Sequence, residues 1–136
     1  ELAVAHAVSL GEGDEQALSA ASNGEFFDVV FDATGNAKAI ERGFAFVAHG
    51  GTYVLISVVR DTITFSDPEF HKRETTLLGS RNATTEDFET VLAAMRAGHV
   101  PTAALNTHRM RLADVPTDFV QLLDPSQGVV KAIVEV

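Results

Sequence analysis

Three short β-prone runs, residues 27–31, 52–58 and 75–78, each end in small or polar turn residues and are separated by stretches with helical spacing. This alternation constrains the fold most. Strands that follow one another through helical connections pair in parallel, so the expected class is α/β, a parallel sheet with crossover helices. Residues 52–58, Thr-Tyr-Val-Leu-Ile-Ser-Val, are the most β-prone run in the chain and suit a central strand. Residues 27–31 are apolar except for Asp28, the pattern of a strand covered on both faces.

Punctuation sets the remaining elements. Residues 5–9 read as a short strand closed by Gly11-Glu12-Gly13, after which Asp14 stands where an N-cap would open a helix through Ala21. Ala37, Ile40, Phe44 and Val47 share one helical face, and Gly50-Gly51 would end that helix. Residues 62–66 alternate polar and apolar as a short strand does, and Asp67-Pro68 opens a helix with proline where its missing N–H costs nothing. Thr84 to Asp87 is an acidic, hydroxyl-bearing helix start, followed by Phe88, Val91, Leu92 and Met95 as an apolar stripe. Beyond Pro101 a strand over 105–110, a helix carrying Val115, Phe119 and Leu122, and a last strand over 129–136 are expected. The opening Glu1-Leu2-Ala3 reads as the tail of a helix already under way, which makes the chain look like part of a longer one.

Composition then narrows the functional classes. Nineteen acidic against ten basic residues give a net charge of -9, which argues against nucleic acid as a partner, since Arg109 and Arg111 are too few to make a basic patch. The longest apolar stretch, residues 53–59, contains Ser57 and falls far short of the roughly 20 residues a membrane span needs. The absence of cysteine excludes disulfides and thiolate-bound zinc within the chain and fits a reducing compartment such as the cytoplasm. The five histidines, His6, His49, His71, His99 and His108, lack metal-ligand spacing, and His108 reads as a structural hydrogen-bonding residue.

Two further patterns invite chemistry and fail to hold it. Gly11-Glu12-Gly13 superficially suggests a phosphate loop, but Gln16 replaces the third glycine and Glu12 and Asp14 put negative charge where a pyrophosphate needs bare N–H groups. Asp28 and Asp32 point to one face of a strand, yet no nucleophile or base lies near enough in sequence to complete a catalytic set, so one of them is expected to hydrogen-bond at the strand end. The better signals stand at the carboxyl ends of the strands, where open α/β sheets bind ligands. These are Asp32-Ala33-Thr34-Gly35-Asn36, Ile56-Ser57-Val58 and Gly79-Ser80-Arg81-Asn82, expected along one edge.

Residues 27–35 (FDVVFDATG), 50–56 (GGTYVLI), 72–80 (KRETTLLGS), 105–108 (LNTH) and 128–132 (GVVKA) carry a further signal. In this order and spacing the chain resembles the medium-chain dehydrogenase/reductases, and within them the zinc-type alcohol and polyol dehydrogenases, with Gly79 to Asn82 most like polyol and sugar-acid enzymes. The resemblance implies a partial Rossmann-type parallel sheet in residues 1–82, part of an NAD(P)-binding domain. Residues 83–136 would be a connecting helix and a C-terminal segment returning to the catalytic domain. It implies hydride transfer between NAD or NADP and a small-molecule alcohol, polyol or sugar acid, with zinc in the full-length parent polarising the alcohol oxygen. The glycine-rich loop, the ribose-binding acidic residue and the zinc ligands would all lie upstream of Glu1.

Residue by residue, the resemblance puts Ala33, Thr34 and Gly35 on the adenosine side of the cofactor and Ile56, Ser57 and Val58 on the nicotinamide side. Ser80, Arg81 and Asn82 would flank the nicotinamide and substrate, and Lys131, between the apolar Val129 and Ile133, would reach the pyrophosphate. It further implies a homo-dimer or homo-tetramer in which residues 62–66 form a sheet edge pairing with their copy. A zinc-free reductase of the same superfamily stays open. So does a stand-alone α/β binding or interaction module without enzymatic activity, which an upstream sequence lacking a glycine-rich strand-turn-helix would favour.

Overall fold

The structure is a computed structural model that describes residues 4–9 and 11–136. The expected helix tail at Glu1-Leu2-Ala3 lies outside the described residues. The chain divides into two compact units, one of residues 5–82 and the other built mainly from residues 83–136. Among the described residues no helix is long and apolar enough to cross a membrane.

In the first unit, α1 (Asp14–Ala21), β1 (Phe27–Asp32), α2 (Ala37–Gly43), β2 (Val47–Leu55), α3 (Asp67–Lys72) and β3 (Thr76–Gly79) follow one another. The strands form a parallel sheet in the order β1-β2-β3, as the alternating pattern requires. Val30, Tyr53 and Leu77 stand side by side across it. With Ile40 from α2 and Val47 they build the core, in which Ile40, Val47 and Tyr53 are fully enclosed. Phe44 meets Tyr53 edge-on at 5.0 Å and stacks on Phe65 at 4.8 Å, extending the core toward α3.

The opposite face of the sheet is open. Phe31, Val54 and Leu78 line up across the strands, and Phe31 is 64% exposed. The apolar run at 27–31 therefore makes the strand it predicts, but the described residues cover it on one face only. Residues 5–9 form no strand, because no described segment lies beside them to complete a ladder. Asp14 is the first residue of its helix, with Gly13 as the N-cap. Its carboxylate accepts the Gly11 N–H and a two-point contact from Arg42, and these bonds, the guanidinium's foremost, hold it well below the usual carboxylate range.

Three other expectations are corrected. The helix from Ala37 stops at Gly43 and passes through a 3₁₀ turn, Phe44–Phe46, into β2, so Val47 belongs to a strand. Arg73 enforces this by donating to the Ala45 and Val47 carbonyls at 3.2 and 2.8 Å. Gly50, at φ 72, ends no helix and instead carries the register break between Val47 and Thr52. At the other end β2 stops at Leu55, because the Ser57 N–H turns back to the Asp32 carbonyl at 3.2 Å, sharing it with the Ile56 N–H.

Residues 62–66 form no strand. The Thr64 N–H and hydroxyl both donate to the Glu41 carboxylate at 2.9 Å, while Ile63 packs on the core and the partly exposed Phe65 stacks on Phe44, so the segment is tied to α2 and the turn after it by its side chains. Helix α3 opens as expected, with Pro68 in its first turn and Ser66 as its cap.

The second unit holds α4 (Thr85–Arg96), α5 (Thr102–Leu105), β4 (Asn106–Arg111), α6 (Val115–Asp118) and β5 (Lys131–Glu135). Thr84 and Asp87 form a reciprocal cap on α4. Short α5 was not foreshadowed by spacing, and the helix expected through Leu122 continues beyond Asp118 as a 3₁₀ turn, Phe119–Leu123. β4 and β5 pair in parallel, with the Thr107 hydroxyl accepting the Val130 N–H at 3.0 Å. His108 hydrogen-bonds Thr107 at 2.9 Å, in keeping with a structural role.

Tyr53 supplies a pH test of this core. Burial, aided by the Asp32 charge, pushes its phenol up to about 12. A pKa raised on folding favours the protonated form, so the stabilisation is complete below about pH 10 and is lost as pH rises from there toward about 12. The expected loss is about 2–3 kcal/mol across that window. Tyr53 is the chain's one tyrosine, and there is no tryptophan, so near-ultraviolet tyrosinate absorbance reads it alone. A midpoint near pH 10 in the folded protein would contradict the burial.

Candidate functional site at the carboxyl edge of the sheet

The register sets the three strand ends level. Asp32 of β1 lies opposite Leu55 of β2, and Leu55 opposite Gly79 of β3. The turns that follow therefore emerge along one edge, as the strand pattern predicts. Ile56 N donates to the Asp32 carbonyl and Ser80 N to the Leu55 carbonyl, both at 2.9 Å, so the ladder runs one residue past each strand before the chain turns away.

Asp32 ties two of these turns together. It is only 4% exposed, and its carboxylate accepts the Thr34 hydroxyl at 2.7 Å, the Thr34 N–H at 3.4 Å and the Ser57 hydroxyl. Thr34 in turn accepts the Asn36 N–H, and Asn36 caps α2 through Ala39 N at 3.1 Å. Gly35 adopts φ 64, and a Cβ there would meet nothing within 4 Å, so the backbone is open to a flat partner. The sequence reading placed an aspartate at a strand end and missed its role as the junction. The Asp32-to-Thr34 spacing of an Asx turn was the available signal.

Ser57, Val58, Ser80 and Arg81 come together around a pocket of about 480 Å³, floored by Leu55 and Ile40 and including Asp61. Ile56 is half exposed and Val58 more so, and Asn82 holds a left-handed conformation at φ 63. Ala33, Thr34 and Gly35 form the neighbouring turn and do not line this pocket. Lys131 belongs to the second unit. It is exposed, pairs through its backbone with Asn106, and among the described residues has no carboxylate within ion-pair distance. The apolar surrounding expected for it is absent because its neighbour Ile133 is itself 38% exposed.

A larger groove of about 1060 Å³ runs beside Gly11 to Asp14. Glu12 and Glu15 line it, and its cation, Arg42, is already engaged with Asp14, so it offers an anion nothing. Among the described residues no three His, Asp or Glu side chains are grouped to hold a metal ion.

Residues 1–97 match the family model described as zinc-binding dehydrogenase. The chain is 37% identical over 117 residues to an L-galactonate-5-dehydrogenase of Escherichia coli, covering 86% of this chain and 34% of that protein. It thus spans about a third of its relative's length. Among solved structures, the alcohol dehydrogenase TADH of a Thermus species superposes with a TM-score of 0.81, at 20% identity over 92% of this chain and 36% of that one. An alcohol dehydrogenase from Escherichia coli solved with NADH superposes at 0.77, with 15% identity over 89% and 36%. At those identities the likeness establishes the fold, a Rossmann-type parallel sheet.

Proposed function

Since this chain belongs to the zinc-binding dehydrogenase family, we propose that it is part of an oxidoreductase that moves a hydride between NAD or NADP and an alcohol, polyol or sugar acid. Residues 1–82 serve as part of the cofactor domain, and residues 83–136 as the connecting helix and a segment of the catalytic domain. The observation that carries this reading is the level edge of three parallel strands, with its small-residue turns, hydroxyls and pocket. The relative that is 37% identical, an L-galactonate-5-dehydrogenase, supports a polyol or sugar-acid substrate.

In this reading Ala33, Thr34 and Gly35 receive the adenosine side, and Ile56, Ser57 and Val58 the nicotinamide side. Ser80, Arg81 and Asn82 flank the nicotinamide and substrate, and Lys131 meets the pyrophosphate. The dinucleotide, when bound, supplies or accepts the hydride. The chain's own residues orient it and keep one side of the pocket apolar. The described residues do not fit a zinc ion, since they lack a ligand group and the chain has no cysteine. In this reading a zinc ion, where the parent holds one, has its ligands in other parts of the parent. A homo-dimer or homo-tetramer in the cytoplasm completes the proposal.

Changing Lys131 to Ala in the full-length protein is expected to weaken dinucleotide binding by about 1.5–3 kcal/mol, the scale of a hydrogen bond to a charged group. Thermal stability without cofactor should stay unchanged, because the side chain is exposed and unpaired among the described residues. Titration calorimetry with NADH and NADPH decides this, and equal affinities of variant and parent would remove Lys131 from the site. The 136-residue chain by itself is expected to turn over no alcohol with either cofactor, and turnover would refute the reading of it as a part.

A further inference from the structure

We propose that Asp32 is a positioning residue that locks the Ser57 hydroxyl as an acceptor toward the pocket, so that this side of the site takes a donor group of the ligand, an amide N–H or a sugar hydroxyl. The inference rests on the cofactor-site reading and adds to it the polarity of one subsite. A carboxylate can only accept hydrogen bonds, and a serine hydroxyl has a single proton to give. The Ser57 proton is committed to one oxygen of Asp32, while the other oxygen takes the Thr34 hydroxyl and N–H. Turning the Ser57 hydroxyl outward would strand a charged oxygen in a residue that is 4% exposed, the costliest kind of unmade hydrogen bond.

The surrounding backbone has the same polarity. The N–H groups of Ile56 and Ser57 are both spent on the Asp32 carbonyl, and that of Ser80 on the Leu55 carbonyl. The Thr34 hydroxyl has given its proton to Asp32 and accepts from Asn36, so it too has no donor left for the ligand. Ser57 accepts from no group among the described residues, and it lines the pocket of about 480 Å³. What faces the ligand here is an oxygen lone pair. Donors for acceptor groups come from Arg81, which lines the same pocket. A ligand group with both a donor and an acceptor, such as a carboxamide, matches this pair, whereas a phosphate or carboxylate oxygen against Ser57 would be repelled.

The test uses the full-length protein and NADH as the probe. Ser57→Ala is expected to weaken NADH binding about fivefold, and Asp32→Asn by a similar or somewhat larger factor, the range of one hydrogen bond. In the Ser57→Ala background, Asp32→Asn should cause no further loss, because its effect runs through Ser57. An equal loss in both backgrounds would show that Asp32 is merely structural and overturn the inference. Neutron diffraction on the unmodified protein provides a readout that needs no variant to fold. It should place the Ser57 hydroxyl hydrogen on the line to Asp32, and a hydrogen pointing into the pocket would overturn the lock. Failure of the unmodified protein to bind either NADH or NADPH would instead overturn the dinucleotide reading and the ligand assignment with it, leaving the diffraction result to decide the hydroxyl's orientation separately.

Discussion

Replacing Tyr53 with alanine is expected to destabilise the first unit by about 3–5 kcal/mol, the range for removing a large buried aromatic side chain. The ring is 1% exposed and sits between Ile40 and Val47, the other two fully enclosed side chains of this core. Its loss would open a cavity where the sheet, α2 and the Phe44 ring converge. It would also remove the hydroxyl that donates to the Ile40 carbonyl at 3.1 Å. A small domain has a total stability of only about 5–15 kcal/mol, so the variant should approach the unfolded state at ambient temperature. Tyr53→Phe keeps the ring and gives up one hydrogen bond, for an expected cost of about 0.5–1.5 kcal/mol. Denaturant unfolding of the two variants separates packing from hydrogen bonding. A loss below about 1 kcal/mol for the alanine variant would mean that the ring is not at the centre of the core.

Gly43→Ala is expected to cost about 3 kcal/mol, at the top of the range for forcing a methyl group into a packed core. The direction runs against helix propensity, which alone would favour alanine over glycine by about 1 kcal/mol inside a helix. Gly43 has ordinary helical angles, φ -57 and ψ -28, so its backbone does not require glycine. Tyr53 does. A Cβ at this position would fall on the phenol hydroxyl, 2.6 Å from Cζ and 3.2 Å from Cε1. The two sites should therefore be strongly coupled. In a Tyr53→Ala background the overlap is gone and Gly43→Ala should become neutral or slightly stabilising, while Tyr53→Phe should relieve it only in part, since Cζ remains. Additive costs in the double variants would show that the helix and ring do not meet as described.

Much of the fold was legible because its signals are local. The β-prone runs at 27–31, 52–58 and 75–78, the helix between the first two and the Thr84 cap each follow from a few neighbouring residues, and the parallel order follows from the lengths of the connections. The expected lineup of three turns along one edge rests on the same logic, because parallel strands all point their carboxyl ends to the same side of the sheet.

What the sequence could not determine lies in contacts between residues far apart along the chain. Val47 had the spacing of a helical face and became a strand residue because Arg73, distant in sequence, holds its carbonyl. Residues 62–66 alternate like a strand, yet Glu41 takes the Thr64 N–H that a ladder would need. Glycine at position 43 carries no local signature at all, since its need comes from a ring ten positions later. The chain's residue types and their periodicity thus determined which segments are strands and helices and that three turns emerge along one edge of the sheet. Tertiary structure alone decided where those segments stop, which face of β1 is covered, and that one buried carboxylate joins two turns, because backbone groups bond to whichever partner the fold brings within reach.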